Sequence, residues 1–230
     1  YFLKMKISAH QPAYLPWGGF IDRISLSDVF IILDDVQFEK NSFTNRNQIK
    51  TSNGPTWLTV PVSLKGHTSS SIKDIEIANN KPWHKKHWKT IQQNYKKSPF
   101  FREHENFFED TYRKNWTLLH ELNSHLLSYF LDFLDIDTKI VYLSSLNVFG
   151  KKQDLIINLC KHFSASDFIF GALGKNYVQE EKFQISNINI HFHEYQDLNY
   201  KQLWGDYIPN LSILDMLMNV ESSKLKDFYR

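Results

Sequence analysis

The residues with the clearest potential for chemistry lie in one short segment, which reads His-Gln-Pro-Ala-Tyr-Leu-Pro-Trp-Gly-Gly-Phe from residue 10 to residue 20. His10 could act as a general acid or base, and Gln11 and Tyr14 could orient a substrate. Trp17 offers an aromatic face for a sugar or base. The pair Gly18–Gly19 opens a predicted helix, whose N-terminal N–H groups favour anions. The alternative is a rigid turn that packs Tyr14 and Trp17.

A second polar segment, Asn45-Arg46-Asn47-Gln48-Ile49-Lys50, combines cations with amides. The planar guanidinium of Arg46 suits phosphate or carboxylate, and Lys50 adds a point charge. Asn47 would supply neutral donors, and Trp57 in the next predicted strand would supply another ring. The alternative is a solvated loop. Two such segments on one side of a βαβ unit favour a ligand site.

Two further segments follow predicted strands. Asp35 and Gln37 lie in the segment 34–37 that follows the apolar run 29–33, where a carboxylate could act as a base, position an amine or bind Mg²⁺. A structural role for Asp35 in capping the next turn is an equal alternative. The small-residue segment from Gly171 to Tyr177 could cradle a phosphate, although it matches neither the Walker pattern nor GxGxxG.

The remaining histidines and the single cysteine do not indicate a metal site or a nucleophile. His84 and His87 are three apart on a predicted helix, and His191 and His193 alternate on a predicted strand, but neither pair has a second ligand cluster. Cys160 lies in an apolar helical pattern and is expected to be packed. We therefore predict no metal site.

The elements that must position these residues follow a strand–helix–strand pattern. A strand over 6–9, a helix over about 20–26 and an apolar strand over 29–33 form a βαβ unit. Five consecutive apolar residues in the second strand indicate burial on both faces, as in a parallel sheet. Ligands bind such units at the loop after the first strand, which here is the segment 10–19.

The rest of the chain indicates an α/β protein with a helical insertion. Trp83, His87, Ile91 and Tyr95 recur every four residues, which is one helix face. Strands are predicted near 57–63, 72–77, 139–143, 168–171 and 188–195, and helices over 152–163 and 211–220. Residues 66–71 are predicted to form a mobile loop. Ser212 or Asn210 is the predicted N-cap of the last helix, with Asp215 as a capping-box acid.

We therefore predict a Rossmann-like, mostly parallel sheet with an inserted helical subdomain. Residues 5–80 would form an N-terminal α/β part with the site loops, and residues 81–136 the helical insertion. Residues 137–230 would complete the same α/β domain. Met5 is the expected natural first residue of the protein.

Composition excludes several classes of protein. The 230 residues are 42% hydrophobic, which is enough to build a core and excludes a disordered chain. A net charge of +2 disfavours a nucleic-acid-binding protein. One cysteine excludes an internal disulfide and favours a cytoplasmic location. No apolar stretch approaches the length of a membrane span.

Five motifs in order resemble the WbqC-like protein family. They are the segment 10–20 quoted above, Asp35-Val36-Gln37-Phe38, Asn45-Arg46-Asn47-Gln48-Ile49-Lys50, Trp57-Leu58-Thr59-Val60-Pro61-Val62 and Leu211-Ser212-Ile213-Leu214-Asp215. The resemblance covers the chain from Met5 onward. It implies a protein of surface-polysaccharide gene sets, such as those for lipopolysaccharide O-antigen, associated with N-acylated amino sugars. It does not supply established catalytic residues.

These observations lead to an expected function with two alternatives. The expected function is an enzyme that forms an amide on an amino sugar carried by a nucleotide, with His10, Gln11 and Asp35 as catalytic candidates. The acyl donor would be a thioester, which an acyl carrier protein could present, or an acid activated by ATP. The first alternative is a non-catalytic protein that binds nucleotides or carbohydrates. The second is an ATP-dependent ligase, since the first βαβ unit is faintly similar to pantothenate synthetase, although the His-x-Gly-His of that group is absent.

Overall fold

The computed structural model describes residues 4–63 and 70–230, and its centre is a parallel five-stranded sheet. The strand order is β5-β2-β1-β6-β7, with a separate two-stranded sheet of β3 and β4. The strands are β1 (Lys6–His10), β2 (Val29–Ile32), β3 (Arg46–Thr51), β4 (Gly54–Thr59), β5 (Lys139–Tyr142), β6 (Asp167–Phe170) and β7 (Asn189–Phe192). The Rossmann-like α/β fold predicted from the sequence is confirmed.

The central strand β1 lies between the two halves of the sheet. Ile7 pairs with Val29 of β2 on one side and with Phe168 of β6 on the other. The chain leaves β1 toward β2, whereas it leaves β6 toward β7 in the opposite direction. The carboxyl ends of β1 and β6 therefore flank a topological switch point, where open α/β sheets form their ligand crevice.

Helices cover both faces of the sheet. They are α1 (Gly18–Ser25), α2 (Trp83–Tyr95), α3 (Phe101–Arg113), α4 (Leu119–Phe133), α5 (Lys152–Phe163), α6 (Glu180–Ile185), α7 (Ile213–Asn219) and α8 (Ser222–Phe228). Phe30 of β2 belongs to a core shared with α1, the inserted helices and α7. Its neighbour Ile31 belongs to the opposite core, shared with α5 and α6. Burial on both faces is the reason that β2 is apolar throughout.

The segment between β2 and β5 contains more than helices. The hairpin of β3 and β4 precedes α2, with Gln48 paired to Trp57. Helices α2, α3 and α4 then occupy the region expected to be helical. Their buried residues Ile91, Phe108 and Phe130 join the same core as Phe20 of α1, so the helices pack directly against the α/β part.

Several local expectations differ from the structure. No strand was predicted for the polar segment 45–50, but residues 46–51 form β3. Residues 72–77 begin with a short 3₁₀ helix rather than a strand. Ser212 is the N-cap of α7, but Asp215 does not complete a capping box, because the Ser212 backbone N–H donates to the Gln48 carbonyl oxygen instead. The predicted loop 66–71 lies mostly outside the described residues.

Candidate functional site

His10 is the last residue of β1 and lies at the predicted crevice. Its ring contacts Trp17 and Phe20 edge-on, with centroids 5.6 and 5.4 Å apart. Burial, followed by the nearby positive charge of Arg23, lowers the pKa of His10 to about 3. Its Nδ1 lies 2.8 Å from the Gln11 carbonyl oxygen, so Nδ1–H donates this bond. The imidazole is therefore neutral at pH 7, and Nε2 is its proton acceptor.

Arg23 of α1 is the cation of this crevice. It is 5% exposed, and its guanidinium lies 5.7 Å from the centroid of the Phe30 ring. Its Nη1 lies only 2.8 Å from the place that a Cβ on Gly171 would occupy, so the group reaches the residue that follows β6. Burial lowers the pKa of Arg23 to about 10, and the nearby Tyr177 opposes this effect.

The charge of Arg23 has no counter-charge in the described structure. Across residues 4–63 and 70–230, its guanidinium forms neither a salt bridge nor a side-chain hydrogen bond, and its buried Nε has no partner. A buried charge without a partner is costly for a protein to keep. Unpaired buried cations are therefore candidates for binding an anion.

A row of rings connects His10 with Arg46. Trp17 lies beside Phe43 with centroids 5.1 Å apart, and Phe43 lies 6.0 Å from Trp57. The Arg46 guanidinium stacks 4.3 Å from the Trp57 ring. Phe43 and Trp57 are 45% and 41% exposed, so part of each side chain is accessible to a ligand. We call these residues the aromatic row; it places His10 and Arg46 on the same side of the molecule.

Gly18 and Gly19 make room for a tyrosine. A Cβ on Gly18 would lie 2.1 Å from the Tyr195 hydroxyl oxygen, and one on Gly19 would lie 3.0 Å from the Tyr195 ring. Tyr195 therefore packs over the start of α1, where the absence of a Cβ at both glycines makes room for it. Asp22 of the same helix accepts a 2.5 Å hydrogen bond from His193, which follows β7.

The polar groups of three other residues expected to bind substrate form hydrogen bonds within the protein. The buried Tyr14 hydroxyl bonds to His87 Nδ1 at 2.8 Å and to the Tyr112 hydroxyl at 2.5 Å. Asn47 donates to the Leu15 carbonyl oxygen at 2.6 Å. Lys50 is 1% exposed, and its ammonium donates to Gln202 Oε1, Gly205 O and Asp206 O.

The remaining candidates divide between the crevice and its surroundings. The Gln11 side chain is partly exposed beside His10. Tyr177 is 61% exposed and, with Gly171, lies near Arg23.

Asp35 is exposed and binds the Lys73 ammonium at 3.0 Å and the Ser71 hydroxyl at 2.8 Å, contacts that lower its pKa. Gln37 is exposed and forms a bridge with Ser71. Asp35 thus has a structural ion pair rather than a contact with His10.

Sequence reasoning missed Arg23. One signal was present: Arg23 is three residues after Phe20 and one before Ile24, so a charged residue occupies the apolar face of α1. A cation on a core-facing position needs a partner. Phe43 was also missed, because nothing in its sequence context indicates that it joins Trp17 to Trp57.

Other features of the molecule do not resemble this site. An open cavity of about 520 Å³ lies beside β7 among Glu180, Gln184 and residues 187–190, far along the sheet from His10. Cys160 is fully buried in α5, and burial raises its pKa to about 12, so it is a packed thiol. In residues 4–63 and 70–230 no helix is both long and apolar enough to cross a membrane.

The parallel sheet order and the helices on its two faces define a Rossmann-like α/β protein. A family model described as the WbqC-like protein family matches residues 11–227. The uncharacterized protein Rv1507c of Mycobacterium tuberculosis (strain ATCC 25618 / H37Rv) is 35% identical over 98% of this chain and 97% of its own length. The chain therefore belongs to the WbqC-like protein family. No solved structure matches it.

Proposed function

We propose that the protein is a cytoplasmic enzyme of bacterial surface-polysaccharide biosynthesis that forms an amide on an amino sugar carried by a nucleotide. One observation carries the proposal: a neutral imidazole, His10, at the end of β1 lies near an unpaired buried guanidinium, Arg23, which reaches the residue after β6. The first suits proton transfer from nitrogen, and the second suits an anionic part of the substrate.

The aromatic row supports a ligand with flat faces. The exposed rings of Phe43 and Trp57 extend from the crevice toward Arg46, so one elongated ligand can contact all of them. A nucleotide-linked sugar offers a base and a pyranose ring for stacking and a diphosphate for a guanidinium. Family membership and the expected N-acylated sugars agree with this class of ligand.

His10 fits one particular proton transfer. With a pKa of about 3 it cannot remove the proton of a free ammonium, so the substrate must bind as a neutral amine. The amine nitrogen attacks the acyl carbonyl carbon, forming a C–N bond and a tetrahedral intermediate whose protonated nitrogen is more acidic than a free ammonium. His10 Nε2 accepts that proton. As the intermediate collapses, the bond to the thiol or adenylate breaks and the leaving group takes the proton from His10.

A second candidate function, non-catalytic binding of the same ligands, is favoured by the low pKa of His10. A weakly basic imidazole can simply accept a hydrogen bond from a hydroxyl or amine of the ligand. The two functions differ in turnover. An enzyme consumes the amino sugar, whereas a binding protein returns it unchanged.

The test is an incubation with a panel of nucleotide-linked amino sugars and acyl donors. One arm supplies acyl thioesters, and the other supplies free acids with ATP and Mg²⁺. Mass spectrometry should detect the N-acylated sugar nucleotide with one of the two donor types. Saturable ligand binding without product in either arm would instead establish the binding function.

His10→Gln is the matched variant for this assay. We expect turnover to fall by about 10²–10⁴-fold, the usual contribution of a general acid–base residue, while sugar-nucleotide affinity stays within several-fold. His162→Gln is the control, because His162 is exposed on α5. Equal turnover in wild type and His10→Gln would remove His10 from the mechanism.

A further inference from the structure

The role of Arg23 can be defined more sharply than the proposed function requires. Its guanidinium lies between α1 and the residue after β6, where Gly171 has no Cβ to exclude it. The backbone of Gly171 is extended, with φ −66° and ψ 165°, so glycine is not needed there for its conformation. The small residue instead leaves space for Nη1 of Arg23.

Residues 4–63 and 70–230 provide Arg23 with no counter-ion. Its guanidinium lies near the Phe30 ring and Gly171, and its charge acts on Tyr177 and His10. The two ranges outside the described structure, 1–3 and 64–69, contain no Asp or Glu. Asp22, adjacent in the chain, is bound to His193 instead.

We propose that Arg23 is the oxyanion-binding residue of the crevice, and that a phosphoryl or carboxylate group of the substrate forms the ion pair that the protein itself does not provide. This deepens the proposed function, since both a nucleotide-linked sugar and an acyl donor carry such groups. His10 lies close enough to Arg23 to be affected by its charge, so an anion there changes the environment of the imidazole.

The proposal predicts opposite effects on stability and on binding. Arg23→Met keeps an unbranched apolar side chain in place of the arginine stem but removes an uncompensated buried charge, so the free protein should gain stability and its Tm should rise. The same change should weaken anion binding by about tenfold or more, because charge-assisted hydrogen bonds are lost. A merely structural arginine would lower Tm when replaced and leave anion affinity unchanged.

The experiment is a thermal-shift and calorimetric titration of the whole chain with inorganic phosphate, inorganic diphosphate and acetate. Wild type should bind at least one of the three anions, and Arg23→Met should lose that binding while its Tm rises. Binding of acetate but neither phosphate nor diphosphate would assign the carboxylate as the ligand, and the reverse would assign the phosphoryl group. Arg102→Met is the control, because Arg102 lies on the surface of α3 with an 84% exposed side chain.

A second measurement keeps the test decisive if Arg23→Met fails to fold. In wild type, NMR of ¹³C-labelled histidine should show the His10 signals shifting on anion addition, while those of the exposed His162 stay in place. Absence of anion binding in wild type, or equal binding by Arg23→Met, would overturn the proposal. Because the probes are inorganic anions and acetate, a failure of sugar acylation would not affect this result.

Discussion

Replacing Gly171 by alanine should weaken ligand binding without unfolding the protein. The new Cβ would lie 2.8 Å from Arg23 Nη1. Ordinary contact begins near 3.4 Å, so the guanidinium must move by about 0.6 Å. That movement is inexpensive for the fold, because Nη1 is the end of a flexible side chain and the Gly171 backbone is extended. The free energy of unfolding should change by less than about 1 kcal/mol.

The same movement is large for a hydrogen bond. N–H···O bonds occupy a range of about 2.7–3.2 Å, so a shift of about 0.6 Å removes one bond unless the ligand follows. One charge-assisted bond contributes about 1.5–3 kcal/mol, and partial adaptation of the ligand favours the lower value. We therefore expect the Kd for diphosphate to rise by about tenfold in calorimetric titration.

Gly18→Ala is the contrasting variant. Its Cβ would lie 2.1 Å from the hydroxyl oxygen and 2.8 Å from Cζ of Tyr195, an aromatic side chain held by packing. Overpacking of this kind costs about 1–3 kcal/mol, so Gly18→Ala should lower Tm in calorimetry. If Gly171→Ala lowers Tm as much as Gly18→Ala and binds diphosphate like wild type, the placement of Arg23 in a ligand site is refuted.

Three further predictions concern residues around the crevice. Arg46→Ala should weaken sugar-nucleotide binding by about 10- to 150-fold if Arg46 binds a phosphate. Arg46→Lys should restore only part of the affinity, because an ammonium lacks the planar, two-pronged geometry of a guanidinium. Equal Kd values for wild type and both variants would exclude phosphate binding by Arg46. Lys50→Met should lower the free energy of unfolding by about 1–3 kcal/mol, because the acceptors of the Lys50 ammonium lose their donor. Ligand affinity of the folded protein should not change. Unchanged stability in denaturant melts together with weaker ligand binding in titrations would instead show that Lys50 binds the ligand. Burial raises the pKa of Asp215 from 3.8 to about 7, so the free energy of unfolding of wild type should fall as pH rises from about 4 to 7. Asp215→Asn should lack this fall. If urea melts give the same difference in stability between wild type and variant at pH 5 and at pH 8, the raised pKa is contradicted.

The sequence predicted those elements whose pattern reflects their environment directly. The apolar run at 29–33 is β2, and the helix predicted over 152–163 is α5 (Lys152–Phe163). The hydrophobic pattern of each element follows directly from the burial of its own side chains. Strand β3 was not predicted, because its polar residues are buried by partners distant in sequence, such as Gln202 for Lys50.

The sequence suggests where a ligand would bind, but it does not tell which residues lie there. The βαβ pattern indicates that ligands bind after β1, and the structure places His10, Gly171 and Tyr177 near Arg23 at that edge. Residue types alone do not tell which polar side chains find hydrogen-bond partners inside the fold. Tyr14 and Lys50 carry reactive groups but are bonded within the protein, whereas Arg23 sits in an apolar helix pattern and has no bonded partner in the described chain.

The most direct test of this account is a crystal structure with the nucleotide-linked amino sugar that gives the largest thermal shift. The account predicts an oxyanion of the ligand or its acyl donor within about 3 Å of the Arg23 guanidinium. It also predicts a ring of the ligand on Phe43 or Trp57, and the amine nitrogen facing His10 Nε2. A ligand bound elsewhere, for example in the cavity beside β7, with Arg23 still unpaired, would contradict it.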